Sequence, residues 1–281
     1  MLEKLKFKSF LFLVPSVFIL GASFAYAEEI FPAKQVLDPA SVDEEIVNFD
    51  SDVFLNNLKD HFPPESKIAD FEHSGISDIY YFRVDGQALM FANDGKYILN
   101  GGFFDMENGG VNLLDDYKSK FHVEILQSFK DEDKIIYTPI DKDIKGVVTV
   151  FTDPSCPYCT KFHNKMDEYL NLGIKVEYLP FPRGAQSGPG YTDTLKTWCA
   201  KDQETRKKLM SAAKNGNNPP ILVNQKIDDA CLANFTKLLK MNEGLGITGT
   251  PAVFLENGKQ AGGYIEPKAL LKEIIKNEKE K

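Results

Sequence analysis

Cysteine and histidine are scarce in this chain, with four of each among 281 residues. The histidines stand apart at positions 61, 73, 122 and 163. A zinc site built on cysteine needs a second close pair of ligands, and the sequence has a single close pair, Cys156 and Cys159. Cys199 and Cys231 lie far from it and from each other, and His163 alone among the histidines is near. No metal and no other cofactor is therefore expected. Basic residues are outnumbered, 33 against 41 acidic ones, for a formal charge of −8. Such a surface repels phosphate backbones and argues against nucleic acid as a partner. Internal repeats and low-complexity tracts are absent. Beyond the N-terminus, no apolar run approaches the roughly 20 residues of a membrane helix.

What is present begins with a targeting signal. Lys4, Lys6 and Lys8 precede a mostly apolar run over 10–24, and Ala25-Tyr26-Ala27 has the small-x-small form of a signal peptidase site. The run is short for a bilayer span and is interrupted by Ser9, Pro15, Ser16 and Ser23. Cleavage after Ala27 and export are expected. In an oxidising compartment an even number of cysteines points to disulfides. So few in a chain of this length point instead to chemistry plus one structural staple.

The chemistry is expected at FTDPSCPYCTKFH, 151–163. An apolar strand over 147–151 leads in. A helical pattern leads out, with Phe162, Met166, Tyr169 and Leu170 on one face. Cys156 then stands at a helix N-terminus, where unpaired N–H groups and a partial positive charge stabilise a thiolate. That depresses its pKa from about 8.5, and exposure there makes it the nucleophile. Cys159, one turn in, is the resolving thiol. Pro157 suits the first helical turn, and Ser155 is a candidate cap. Half of a zinc site and a purely structural disulfide are the duller readings of this pair.

The remaining chain divides around this site. A helix is expected over 42–58, then strands at 80–84, 88–92, 97–100 and 103–105 with turns at Asp85-Gly86 and Asn93-Asp94-Gly95. A linker helix follows over 113–129. Strands at 135–137, 147–151 and 174–181, a helix at 156–171, a helix-prone region over 192–239 broken near 216–220, a hairpin around Asn257-Gly258 and a helix over 267–277 complete the order β-β-α-β, helical insert, β-β-α. The fold expected is an α+β N-terminal domain followed by an α/β thioredoxin fold with a helical insertion. The divisions are 1–27 for the signal, 28–112 for the N-terminal domain, 113–133 for the linker and 134–281 for the thioredoxin-like domain.

Thr250-Pro251, before the hairpin strand, occupies the place where a thioredoxin fold carries a proline opposite its cysteines. Thr250 would offer its backbone to an extended substrate segment. Cys199 and Cys231 both fall in the insert. They read either as a bridge closing a loop of about 33 residues, worth roughly 3–4 kcal/mol, or as free thiols that relay electrons to the site.

DGKYILNGGFFD, TVFTDPSCPYCTKFH, EYLPFPRGAQS, TWCAKD and GITGTPAVFLENGK followed by GGY together resemble the periplasmic disulfide isomerases of the DsbC/DsbG type, from about Tyr80 to the C-terminus. The resemblance implies a homodimer whose N-terminal sheets pair, with two thioredoxin domains facing a shared cleft. A chaperone-like binding module using that cleft is a separate expectation that need not exclude an enzyme. The resemblance also implies that a membrane thiol reductase of the DsbD type keeps the pair reduced, and that the substrates are misoxidised exported proteins. It makes Cys156 the attacking thiolate and Cys159 the resolving one. Thr250, Pro251 and Tyr158 become the substrate contacts, and Cys199–Cys231 the structural bridge. The dipeptide Pro157-Tyr158 is the DsbG-like form, whereas the rest of the chain is closer to DsbC. Isomerisation is the leading expectation; dithiol oxidation and protection of single oxidised cysteines are the alternatives. The segment 28–74 is longer than the resemblance implies.

Overall fold

The structure is a computed structural model and describes residues 51–59, 61–76, 78–92, 95–99, 101–216 and 226–279. The expected signal, most of the helix expected over 42–58 and most of the break expected near 216–220 lie outside the described residues. Everything described falls in one contact-linked unit, Phe49–Lys281.

The N-terminal part is a helix, a sheet and a second helix in layers. Helix α1 (Ser51–Lys59) presents Phe54 and Leu58, four residues apart and so on one face. Both are fully buried against an antiparallel sheet of β1 (Ile68–His73), β2 (Ile79–Val84), β3 (Gln87–Ala92) and β4 (Tyr97–Leu99), in that spatial order. Phe54 stacks on Phe91 at 3.8 Å and meets Phe82 edge-on. Residues alternate faces along a strand. Phe82 and Phe91 therefore point to α1, while Tyr81 and Met90 point to the other side. There they meet helix α2 (Leu113–Ser128), with Tyr81 stacked on Tyr117 at 4.5 Å. A short pair, β5 (Phe104–Asp105) and β6 (Val111–Asn112), leads into α2, whose first turn is capped by Asn112.

Strand β1 is absent from the sequence-based expectation. Its sequence, IADFEH, carries two acids, and its pairing with β2 shifts register between Ala69 and Glu72 where Asp70 takes φ 59°. The bulge destroys the two-residue alternation that betrays a strand. Two partners secure it: Arg83 with Asp70, and Lys120 with Glu72 at 2.6 Å.

Helix α2 packs on both parts of the chain. Its first half covers the N-terminal sheet, whereas Leu126 and the following Phe129 enter the larger core. That core surrounds a five-stranded sheet in the order β11-β10-β8-β9-β7. Its strands are β7 (Ile135–Tyr137), β8 (Gly146–Thr152), β9 (Ile174–Pro180), β10 (Ala252–Leu255) and β11 (Gln260–Gly262). Central β8, GVVTVFT, is rich in β-branched residues and mostly buried, and it runs parallel to β9. The β10–β11 turn presses on α2. Gly258, at φ 80°, has no room for a side chain, because a Cβ would come within 2.1 Å of the Ser119 carbonyl oxygen. Its own carbonyl bonds His122 Nδ1 at 3.0 Å.

Between β8 and β9 the single helix expected over 156–171 is two. Helices α3 (Pro157–His163) and α4 (Met166–Asn171) are separated at Asn164-Lys165. Among the described residues the insert comprises α5 (Tyr191–Trp198), α6 (Gln203–Lys214) and α7 (Asp229–Met241), and the last element is α8 (Pro267–Lys279). Trp198 ties the insert down by donating from Nε1 to the Asp133 carbonyl at 2.8 Å. Among the described residues no helix is long and apolar enough to cross a membrane.

Candidate functional site

Strand β8 ends at Thr152, and the chain turns through Asp153-Pro154-Ser155 before α3 begins. Cys156 is the N-cap, with φ −88° and ψ 120°, and Pro157 is the first helical residue. No side chain caps this end. Ser155, the candidate cap, instead gives its N–H and its hydroxyl to Asp153 Oδ1, both at 2.7 Å. The first N–H groups of the helix therefore remain for the Cys156 sulfur.

Asp153 organises the turn. Its side chain is fully buried, and Oδ2 accepts from the Arg183 N–H and Nε, each at 3.0 Å. Burial pushes its pKa up, but the bonds from Ser155 and Arg183 outweigh that and hold it below the usual range. Arg183 also reaches the Ser155 carbonyl at 3.3 Å. A Cβ at Gly190 would sit 2.1 Å from Asp153 Oδ1, so only glycine admits the buried carboxylate here.

The opposite wall is Thr250-Pro251, joined by a cis peptide. Strand β10 pairs antiparallel with β8, with Ala252 opposite Phe151. That register carries the two preceding residues across the start of α3. Cys156 Sγ donates to the Thr250 carbonyl at 3.1 Å. Cys156 is accordingly 2% exposed, not open to solvent as the sequence suggests. The Thr250 loop covers it, and that loop is distant in sequence. Cys159 is 1% exposed, whereas Tyr158 between them is 62% exposed.

Both thiols are free, and their environments push them apart. Burial raises the Cys156 pKa, but hydrogen bonds from Thr250, from the Cys159 backbone and side chain, and from the Tyr158 backbone carry it below its ordinary value. The Thr250 hydroxyl is buried and, among the described residues, has no other partner. It is the donor that a thiolate gains. Cys159 moves the other way, mainly through burial, although Lys214, the Asp153 backbone and Thr152 oppose the rise.

Four residues of this site went unrecognised as functional in the sequence: Thr152, Asp153, Arg183 and Lys214. The first three lie in segments with a visible motif, TVFTDPSC and FPRG. Lys214 has no such signal, being one of 33 basic residues, in a polar helix. Cys199 and Cys231 are joined, with Cα atoms 5.8 Å apart, linking the end of α5 to the first turn of α7. Among the described residues, no group of three or more His, Cys, Asp or Glu is arranged to hold a metal ion.

Two known families match separate stretches of the chain. Residues 138–277 match the family described as thioredoxin-like domain, and residues 40–115 match the disulfide bond isomerase protein N-terminal domain. The thiol:disulfide interchange protein DsbC of Pasteurella multocida is 34% identical over 191 residues, covering 68% of this chain and 77% of the relative. DsbC of Haemophilus influenzae is 33% identical, covering 72% and 81%. A DsbG from Pseudomonas aeruginosa is 24% identical, over 63% and 69%. Among solved structures, a disulfide interchange protein from Neisseria gonorrhoeae matches 53% of this chain and 97% of its own, at 26% identity and a TM-score of 0.41.

Proposed function

The chain belongs to the DsbC family of thiol:disulfide interchange proteins, and we propose that its isomerase chemistry runs through Cys156 as nucleophile and Cys159 as resolving thiol. It is a thiol–disulfide oxidoreductase with a thioredoxin-like fold. The observation that carries the assignment of roles is the opposite displacement of two free thiols one helical turn apart. Cys156 is held low at a helix N-terminus, and Cys159 is held high behind it.

In the proposed cycle the Cys156 thiolate attacks one sulfur of a wrong disulfide. A Cys156–substrate bond forms and the other substrate sulfur leaves as a thiolate. When a substrate thiolate attacks the mixed disulfide, Cys156 leaves and the substrate is rearranged with no net oxidation. When Cys159 attacks instead, the substrate is reduced by two electrons and the pair becomes a disulfide. A membrane thiol reductase of the DsbD type would return it to the dithiol. Thr250 and Pro251 form the wall against which an extended substrate lies, and exposed Tyr158 supplies an apolar contact beside the nucleophile. Export through cleavage after Ala27, and hence a periplasmic location with misoxidised exported proteins as substrates, rests on the N-terminal pattern. The domain division is taken as 1–27, 28–112, 113–133 and 134–281.

Reduced protein, added to a scrambled and inactive disulfide protein, should restore its activity, and oxidised protein should not. Equal recovery from both forms would sink the proposal.

A homodimer is part of it. Strand β4 is one edge of the sheet, and Tyr97, Ile98 and Leu99 are all exposed, Tyr97 at 64%. An apolar edge of this kind is a template for pairing with another chain. The mass in solution should be twice that of one chain and should halve in Ile98→Asp. A monomeric parent protein would remove this part of the proposal and leave the dithiol chemistry standing.

A further inference from the structure

A buried lysine lies behind the dithiol. Lys214 ends helix α6 and is 5% exposed. Among the described residues it makes no ion pair; its Nζ donates to Thr152 Oγ1 at 2.7 Å. An unpaired buried ammonium is costly. The position is nevertheless built. The Lys214 carbonyl accepts from Thr160 Oγ1 of α3 at 3.2 Å, which pins the end of α6 to the helix that carries both cysteines. Thr152 is itself buried, and its side chain, like Lys214, opposes the rise that burial gives the Cys159 pKa. Amine and hydroxyl, bonded to each other, thus both bear on the thiol.

We propose that Lys214, acting through the Thr152 hydroxyl, takes the proton of Cys159 when that thiol resolves a mixed disulfide. The inference rests on the thiol–disulfide reading above and deepens it. In the thiol form Cys159 donates to Thr152 Oγ1, and Thr152 donates to a neutral amine. Shifting both protons gives a Cys159 thiolate that accepts from Thr152 and an ammonium that donates to it. No net charge enters the buried site. The thiolate then attacks Cys156 Sγ. The Cys156–Cys159 bond forms, and the Cys156–substrate bond breaks with its electron pair on the substrate sulfur, which is protonated by solvent. The dithiol loses two electrons and the substrate disulfide gains them.

The surroundings favour a lysine that can lose its proton. Burial holds Lys214 down to about 8, against the opposing pull of Cys159, Asp153 and Cys156. Tyr178 of β9 faces it, its ring centre 5.5 Å from Nζ. His163 of α3 is held neutral, down to about 4, first by burial and then by Lys214 itself. It bonds Ser211 at 2.8 Å and Tyr178 at 3.3 Å, with Tyr137 of β7 against its ring. Among the described residues no carboxylate touches the amine; Asp153, the nearest acid by its influence, is committed to Arg183 and Ser155.

The test uses the full reduced chain and glutathione disulfide as probe. Rapid quenching separates attack, which forms the glutathione mixed disulfide, from resolution, which releases the second glutathione. The quantity read is the ratio of the two rates as a function of pH. In the parent protein the ratio should rise through the Lys214 value of about 8. In Lys214→Met and in Thr152→Val it should fall on the order of 100-fold, and that rise should disappear. Thr152→Val removes one hydroxyl at constant shape and decides the matter alone if Lys214→Met does not fold. Attack with an unchanged ratio in Thr152→Val overturns the relay and spares the interchange chemistry. Absence of attack in the parent protein overturns both.

Discussion

Cys156→Ala should reduce recovery of a scrambled disulfide protein to the uncatalysed rate, whereas Cys159→Ala should accumulate covalent adducts between Cys156 and its substrates. The first variant loses the thiol held low at a helix N-terminus. The second keeps that thiol but loses the group that breaks a stalled mixed disulfide, leaving escape to substrate thiols. Non-reducing electrophoresis reads the adducts, and their absence from Cys159→Ala would contradict the assignment of roles. The pH dependence follows from the same contrast. Alkylation proceeds through the thiolate, so its rate falls as pH falls through the folded-state pKa. For Cys156 that value lies below its ordinary one, so the midpoint should lie below the roughly 8.5 of a free cysteine. For Cys159, read in the Cys156→Ala background, it should lie above. The signs for stability differ in the same way. The depressed Cys156 contributes stability above its unfolded pKa that is lost as pH falls through the folded value. The raised Cys159 contributes stability below its unfolded pKa that is lost as pH rises through the folded value. Midpoints in the reverse order would exchange nucleophile and resolver.

Burial of Cys156 does not contradict the nucleophile role proposed for it. The sulfur is covered by the Thr250 carbonyl, the backbone group expected to meet a substrate segment. A substrate strand arriving at Thr250, as proposed, would compete for the same edge, so that docking and uncovering of the thiol would be one event. This link was invisible in the sequence, although both ends of it were visible. Helix start, CxxC spacing and Thr250-Pro251 are local patterns. The depth of Cys156 is set by the β8–β10 register, which joins residues about a hundred positions apart. The same distinction explains what else was legible. Phe54 and Leu58, or Tyr80, Phe82 and Val84, announce their elements through spacing that matches a helix or a strand. Strand β1 fails because its bulge at Asp70 breaks the period. The division of α3 from α4 fails because the apolar face continues through the break. Lys214 fails for a different reason. A polar helix says which residues face inward only after its packing is known, and a buried lysine looks like any solvated one.

Removing the Cys199–Cys231 bridge should cost about 3–4 kcal/mol of stability, read as a drop in the urea midpoint of the double alanine variant. The bond spans a sequence separation of 32. In the chain-entropy model, closing a loop of that size removes roughly this much free energy from the unfolded ensemble. For a chain of this length the corresponding fall in Tm is on the order of 10 °C. The folded insert has other anchors to set against that loss. Trp198 is buried and bonded to the Asp133 carbonyl, Phe235 and Leu238 enter the main core, and Tyr191 meets Phe235 edge-on. Those contacts keep α5 and α7 docked, so the loss should come from the unfolded state, whose loosened chain exposes more surface and steepens the denaturant slope. A loss below about 1 kcal/mol would mean that the unfolded chain already holds these segments together. Function adds a second reading of the same variant. The bridged loop contains α6, and α6 ends at Lys214 against Thr152 and Thr160. If the bridge is only a staple, the folded variant should resolve mixed disulfides as fast as the parent protein. A slowing of resolution relative to attack would mean that the bridge also holds α6 in register behind the dithiol, joining the stability of the insert to the last step of the reaction.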